Sequence, residues 1–182
     1  MSELNIKDNR NLDYTMLQEI IYCGIGDGES VLHFGAYAYG NDFLKILEDL
    51  ELDISYTAVD TKKEIDTIFS DFKPSERNNP WVSVNESMQE FIDNIDYEKY
   101  HWTIITGVFD KPIYNDKQYV FIDMVIKSCL SFSDNLVFTL DVKNTEEFEY
   151  NTGFLVLHLL SKYNKLTVKK LSEDKFIFCI NK

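Results

Sequence analysis

Apolar residues recur along this chain in two alternating rhythms. Leu17, Ile20 and Ile21 stand at helical spacing within Leu12–Cys23, and Gly24, Gly26 and Gly28 break the pattern. Val31–Phe34 reads as a short buried strand ending at Gly35. A helix is expected over Asn41–Leu52, with Phe43, Leu44, Leu47 and Leu50 on one face. Ser55–Val59 is the next strand, closed by Asp60. A helix over Lys63–Phe69 then leads into a loop at Ser70–Pro80. Trp81–Val84 and Trp102–Thr106 read as strands, separated by a helix over Ser87–Ile95, and Gly107 stops the second of them. Tyr119, Ile122, Ile126, Cys129 and Leu130 share one face of a helix over Tyr114–Leu130. A strand at Leu136–Leu140 and an apolar helix at Phe154–Tyr163 follow. The last two strands, Leu166–Leu171 and Lys175–Ile180, flank Ser172-Glu-Asp174 at hairpin spacing.

Strand and helix thus alternate until a terminal hairpin. That order predicts an α/β domain in three layers, with a mostly parallel sheet of about seven strands and an antiparallel last strand. The 182 residues suit a single domain over 1–182, with residues 1–10 a loose polar tail.

Composition narrows the class. A hydrophobic fraction of 45%, with thirteen Phe, eleven Tyr and two Trp, supports a sizeable core and excludes a disordered chain. No apolar run reaches the roughly 18 residues of a membrane span, and Met1–Arg10 carries no apolar signal segment. A cytoplasmic protein with no membrane partner is therefore expected. Eighteen basic against 31 acidic residues leave a net charge of −13, and no basic run exceeds Lys169-Lys170. Nucleic-acid binding needs clustered cations to neutralise phosphates, so no nucleic-acid partner is expected. Cys23, Cys129 and Cys179 are widely spaced among apolar neighbours, with no Cys-x-x-Cys and no zinc-ligand spacing. They are expected to be reduced, buried and free of metal.

In open α/β sheets ligands bind beyond the carboxyl ends of the strands. That rule selects Gly35–Gly40, Asp60, the turn at Ser87, and Thr106–Asp110. A glycine between strand and helix lets backbone N–H groups approach a ligand. A carboxylate ending the second strand is placed to accept two ribose hydroxyls. The pair Gly35 and Asp60 points to a nucleoside site, against the plainer reading of a tight turn and a helix cap. His33, near the end of the first strand, is a candidate to face the ligand. His158 on its apolar helix is expected to pack in the core, and His101 to be solvated.

Val31-Leu-His-Phe-Gly35, Tyr56-Thr-Ala-Val-Asp60, Trp81–Ser87, Trp102–Phe109 and Lys175–Ile180 together resemble the class I S-adenosylmethionine-dependent methyltransferases over Ser30–Lys182. The resemblance implies a Rossmann-like sandwich whose sheet ends in an antiparallel hairpin. It also implies an S-adenosylmethionine site at Gly35, Ala36, Tyr37, Gly40, Asp60, Ser87, Thr106 and Gly107. The chain departs from the pattern at three points. His33 stands where the family carries an acid, Tyr37 and Tyr39 stand at glycine positions, and Glu86 and Ser87 are the nearest matches to the acid of the third motif. After the fourth strand there is no Asp-Pro-Pro-Tyr and no Pro-Cys, which disfavours methylation of DNA bases. Asp110-Lys-Pro-Ile-Tyr114 is similar to a stretch of metal-dependent catechol-type enzymes, but the metal-binding Asp of that stretch is Val108 here, so no metal is expected.

Two functions stay open. One is a methyltransferase acting on a small-molecule or protein acceptor, for which no catalytic base can be named. The other is a non-catalytic interaction or assembly protein that keeps the fold, has lost the cofactor and binds a protein partner. An open cleft beside Gly35 and Asp60 favours the first; the rings of Tyr37 and Tyr39 filling it would favour the second.

Overall fold

The computed structural model describes residues 13–72, 79–95, 99–110, 118–142 and 151–182. The expected tail at 1–10 and residues 111–114 lie outside them. Helix α1 covers 13–21. There follow β1 (Ser30–Phe34), α2 (Ala36–Asp49), β2 (Ser55–Asp60), a 3-10 turn (Ile65–Phe69), β3 (Trp81–Asn85), α3 (Met88–Asn94) and β4 (Tyr100–Ile105). The chain closes with α4 (Gln118–Phe132), β5 (Ser133–Asp141), α5 (Thr152–Leu160), β6 (Leu166–Lys170) and β7 (Lys175–Asn181).

The seven strands form one sheet in the order β3-β2-β1-β4-β5-β7-β6. The pairs β1/β2, β1/β4, β2/β3 and β4/β5 are parallel, whereas β7 runs antiparallel to both β5 and β6. The expected α/β sandwich with its terminal hairpin is therefore present. Strand order reverses between β1 and β4, which opens a crevice at their carboxyl ends.

Alternate residues of the central strands feed two cores. Val31 joins Leu17, Ile20, Phe43, Leu47 and Tyr56 beneath α1 and α2. Leu32 and Phe34 join Ile122, Ile126, Phe138, Leu155 and Phe178 beneath α4 and α5. The period-2 alternation of a strand covered on both faces explains this division.

Two expectations on boundaries and one on burial need correction. The helix expected from Asn41 begins at Ala36, immediately after Gly35. Gly35 makes the whole turn alone at φ 77°, in the left-handed region, so no loop separates strand from helix. Gly40 therefore lies inside α2, where an added Cβ would sit 3.0 Å from Ile68 Cδ1 and 3.2 Å from the Tyr56 hydroxyl. The helix expected over Lys63–Phe69 shrinks to the 3-10 turn. Helix α5 buries only Leu155 and Leu159, and His158 is half-buried rather than packed in the core, its Nε2 4.0 Å from Asp123 Oδ1. His101 accepts the Ser30 N–H at 3.0 Å and so ties the start of β4 to β1.

Candidate functional site

The carboxyl ends of β1, β2 and β4 surround an open cleft of about 780 Å³. Phe34 and Gly35 form its floor, Val59 and Asp60 one wall, and Thr106, Gly107 and Val108 the other, with Ser87 and Met88 at the start of α3 closing the end. A volume of this size lies in the usual range for small-ligand sites.

Gly35 is required twice. Its φ is left-handed, and an added Cβ would stand 2.0 Å from the Thr106 carbonyl oxygen. The tips of β1 and β4 thus meet through bare backbone. The first turn of α2 then reaches across to β2, where the Tyr37 N–H donates to Asp60 Oδ2 at 3.2 Å and the Lys62 N–H donates to Oδ1 at 3.1 Å. Two bonds orient the carboxylate and leave lone pairs on both oxygens, since a carboxylate accepts at about four positions.

His33 lies beneath the floor, fully buried. Its Nδ1 is 2.7 Å from the Tyr56 hydroxyl and its Nε2 is 2.8 Å from Thr106 Oγ1. The Thr106 hydroxyl donates to the Gly35 carbonyl at 3.3 Å. That direction leaves Thr106 Oγ1 as acceptor of His33 Nε2–H, and the neutral ring then accepts the Tyr56 O–H on Nδ1. Burial lowers the His33 pKa to about 3 and holds Tyr56 well above its ordinary range, so every member of this chain is uncharged at neutral pH. The ligand-facing role considered for His33 is not what the fold builds; the ring braces the junction from below.

Five of the eight sequence-predicted positions line the cleft, namely Gly35, Asp60, Ser87, Thr106 and Gly107. Three do not. Ala36 is fully buried and Gly40 is turned toward Ile68, because both lie on the core face of α2. Tyr37 points its ring outward at 40% exposure and serves the site through its backbone N–H. Ser87 reaches the cleft with its hydroxyl already committed. It caps α3, accepting the Glu90 N–H at 3.2 Å and donating to Glu90 Oε2 at 2.7 Å, a capping box. Phe109, expected at the rim, is fully buried against Phe121 and Phe138.

Thr61, Lys62 and Phe121 line the cleft without having been selected from sequence, whereas Tyr39 falls within the selected Gly35–Gly40. Thr61 and Lys62 follow Asp60 directly, so chain adjacency was a usable signal. Phe121 enters from α4 and had no local signal. Tyr39 stands at the Gly107 wall, where its Cε2 would be 3.9 Å from a Cβ on Gly107. Burial raises its pKa, with Asp13 next, so the phenol stays protonated. Tyr39 lines the cleft and Tyr37 does not, and the cleft remains open.

Solved structures share this fold at low identity, among them these three. The bifunctional kinase-methyltransferase WbdD aligns over 95% of this chain and 39% of its own, with 14% identity and a TM-score of 0.61. This chain thus spans about two fifths of WbdD. The M. capricolum protein TrmK, solved with S-adenosyl-homocysteine, aligns over 92% of this chain and 67% of its own, with 13% identity and a TM-score of 0.56. A cyclopropane-fatty-acyl-phospholipid synthase-like protein from Lactobacillus casei aligns over 94% and 91%, with 9% identity and a TM-score of 0.64. The chain has the class I methyltransferase fold. No family model and no curated protein matches its sequence, so the likeness is one of fold. Within this methyltransferase fold, the described residues hold no group of three or more His, Cys, Asp or Glu arranged for a metal. No helix among them is long and apolar enough to cross a membrane.

Proposed function

We propose that the cleft binds S-adenosylmethionine and that the protein transfers its methyl group to a small-molecule or protein acceptor. The observation that carries this reading is the open cleft between Gly35, Asp60 and Gly107, with Tyr37 outside it and Tyr39 against its wall.

The residues present fit the cofactor. Asp60, held by two N–H groups, keeps the lone pairs that ribose hydroxyls need. Gly107 puts no side chain on its wall of the cleft. Glu86, Met88 and Gln89 offer backbone and side-chain groups at the adenine end. When bound, S-adenosylmethionine supplies a methyl carbon made electrophilic by a positive sulfonium. The chain's own part is to orient and to exclude water, which suffices where the acceptor is already nucleophilic.

His33 supports the second reading, a non-catalytic interaction or assembly protein. It replaces an acid with a neutral ring whose two nitrogens are both engaged, so the amino end of the cofactor loses a carboxylate partner. Isothermal calorimetry separates the two. Micromolar binding of S-adenosylmethionine or S-adenosyl-homocysteine is expected, and no heat at millimolar ligand would establish the non-catalytic reading instead.

A further inference from the structure

The three cysteines looked unrelated in sequence, yet the fold brings two of them together. Cys23 lies in the turn after α1 and Cys179 on β7. Both line a separate cavity of about 210 Å³ on the α1 face of the sheet, shared with Glu19, Lys169 and Asn181. The cavity shares no residue with the cleft, so its chemistry is independent of the cofactor reading.

We propose that Cys23 and Cys179 form a reactive dithiol that a hydroperoxide converts to an intramolecular disulfide pinning the turn after α1 to β7.

Geometry supports the pairing. Helix α1 is held over β6 and β7 from both ends, by the Lys169–Glu19 ion pair and by Lys175 Nζ to Asp13 Oδ1 at 2.7 Å. Ile20 and Ile21 pack in one cluster with Ile177 and Cys179, and Cys23 packs against that cluster. Cys23 Sγ donates to the Glu19 carbonyl at 3.4 Å and Cys179 Sγ to Asn181 Oδ1 at 3.7 Å, both groups of residues that line the same cavity. The neighbouring thiol lowers the pKa of Cys179 and raises that of Cys23. We assign Cys179, the thiol with the lowered pKa, as the attacking sulfur, since the thiolate is the nucleophile. Cys129 is the internal contrast. It is fully buried in the opposite core and burial pushes its thiol up to about 12.

The chemistry balances. Cys179 Sγ attacks one peroxide oxygen, the O–O bond breaks and water leaves after protonation, giving a sulfenic acid. Cys23 Sγ then attacks that sulfur, the S–O bond breaks and a second water leaves with the Cys23 thiol proton. Two thiols lose two electrons and hydrogen peroxide is reduced to two waters.

The test exposes the fully reduced chain to equimolar hydrogen peroxide, alkylates free thiols and maps peptides without reduction. A Cys23–Cys179 cross-linked peptide that dithiothreitol abolishes is expected, with Cys129 still alkylated. Cys129→Ser should give the same cross-link, and Cys179→Ser none. Retention of all three thiols, independent sulfinic acids at Cys23 or Cys179, or a cross-link through Cys129 would each overturn the proposal. Mapping of the wild-type chain decides it even if a variant fails to fold.

Discussion

His33 Nε2 lies 2.8 Å from Thr106 Oγ1, and this contact ties the tip of β1 to the tip of β4 beneath the cleft. Through the Thr106 hydroxyl it reaches the Gly35 carbonyl. A neutral hydrogen-bond chain thus stabilises the junction, and its neutrality has a measurable consequence.

An unfolded imidazole titrates near 6.5, whereas His33 in the folded protein titrates at about 3. The unfolded chain takes up the proton first. The contribution is whole above the unfolded pKa and is lost as pH falls toward the folded one, at up to about 1.4 kcal/mol per pH unit. His33→Gln should flatten this part of the profile. Urea titrations at several pH values between the two pKa values should show a smaller slope for the variant; equal slopes would refute the assignment.

Asp60→Ala removes the acceptor that faces the cleft from β2. Binding of S-adenosylmethionine or its demethylated product should weaken by about 1–3 kcal/mol, the usual cost of losing hydrogen bonds to a charged group. Calorimetry beside the wild type checks this, with far-UV circular dichroism confirming the fold.

Gly35→Ala meets two penalties at one position, a left-handed φ and a Cβ placed 2.0 Å from the Thr106 carbonyl oxygen. The conformation alone costs about 1–2 kcal/mol, and the backbone clash adds to it. A total loss of about 3 kcal/mol or more is expected in denaturant unfolding. A loss below about 1 kcal/mol would mean that β1 and β4 can separate at no cost.

Ser87→Ala should destabilise the protein by about 1 kcal/mol, the typical cost of a lost N-cap. Its hydroxyl is spent on Glu90, so ligand affinity should fall less than in Asp60→Ala. A larger fall would assign the hydroxyl to the ligand.

The net charge of −13 predicts no complex with generic duplex DNA at physiological salt, where even non-specific binders reach only about 10⁻⁴–10⁻⁶ M. A micromolar, salt-sensitive gel-shift would reverse that expectation.

Much of the fold was legible along the chain. The strand cores at Val31–Phe34, Ser55–Val59 and Leu136–Leu140 and the closing hairpin follow from local period and turn residues, which need no tertiary partner to be read. The start of α2 was not legible. Gly35 and Gly40 looked like the two ends of a ligand loop, but one left-handed residue completes the turn, and Gly40 is small because Ile68 and Tyr56 crowd it from other elements. Nothing near Gly40 in sequence announces those neighbours.

By itself the sequence determined the layer order and, to within a residue, the carboxyl ends of β1, β2 and β4, because apolar periodicity, Gly35, Asp60 and Gly107 act through local backbone geometry. The tertiary structure decided what each side chain at those ends does. It turned Tyr37 outward and Tyr39 to the wall, sent Phe109 into the core and spent Ser87 on a cap. It also joined His33 to Thr106 and brought Cys23 to Cys179. Those outcomes depend on the phase of a helix over the sheet and on which strands become neighbours, and both are set by packing between segments remote in the chain.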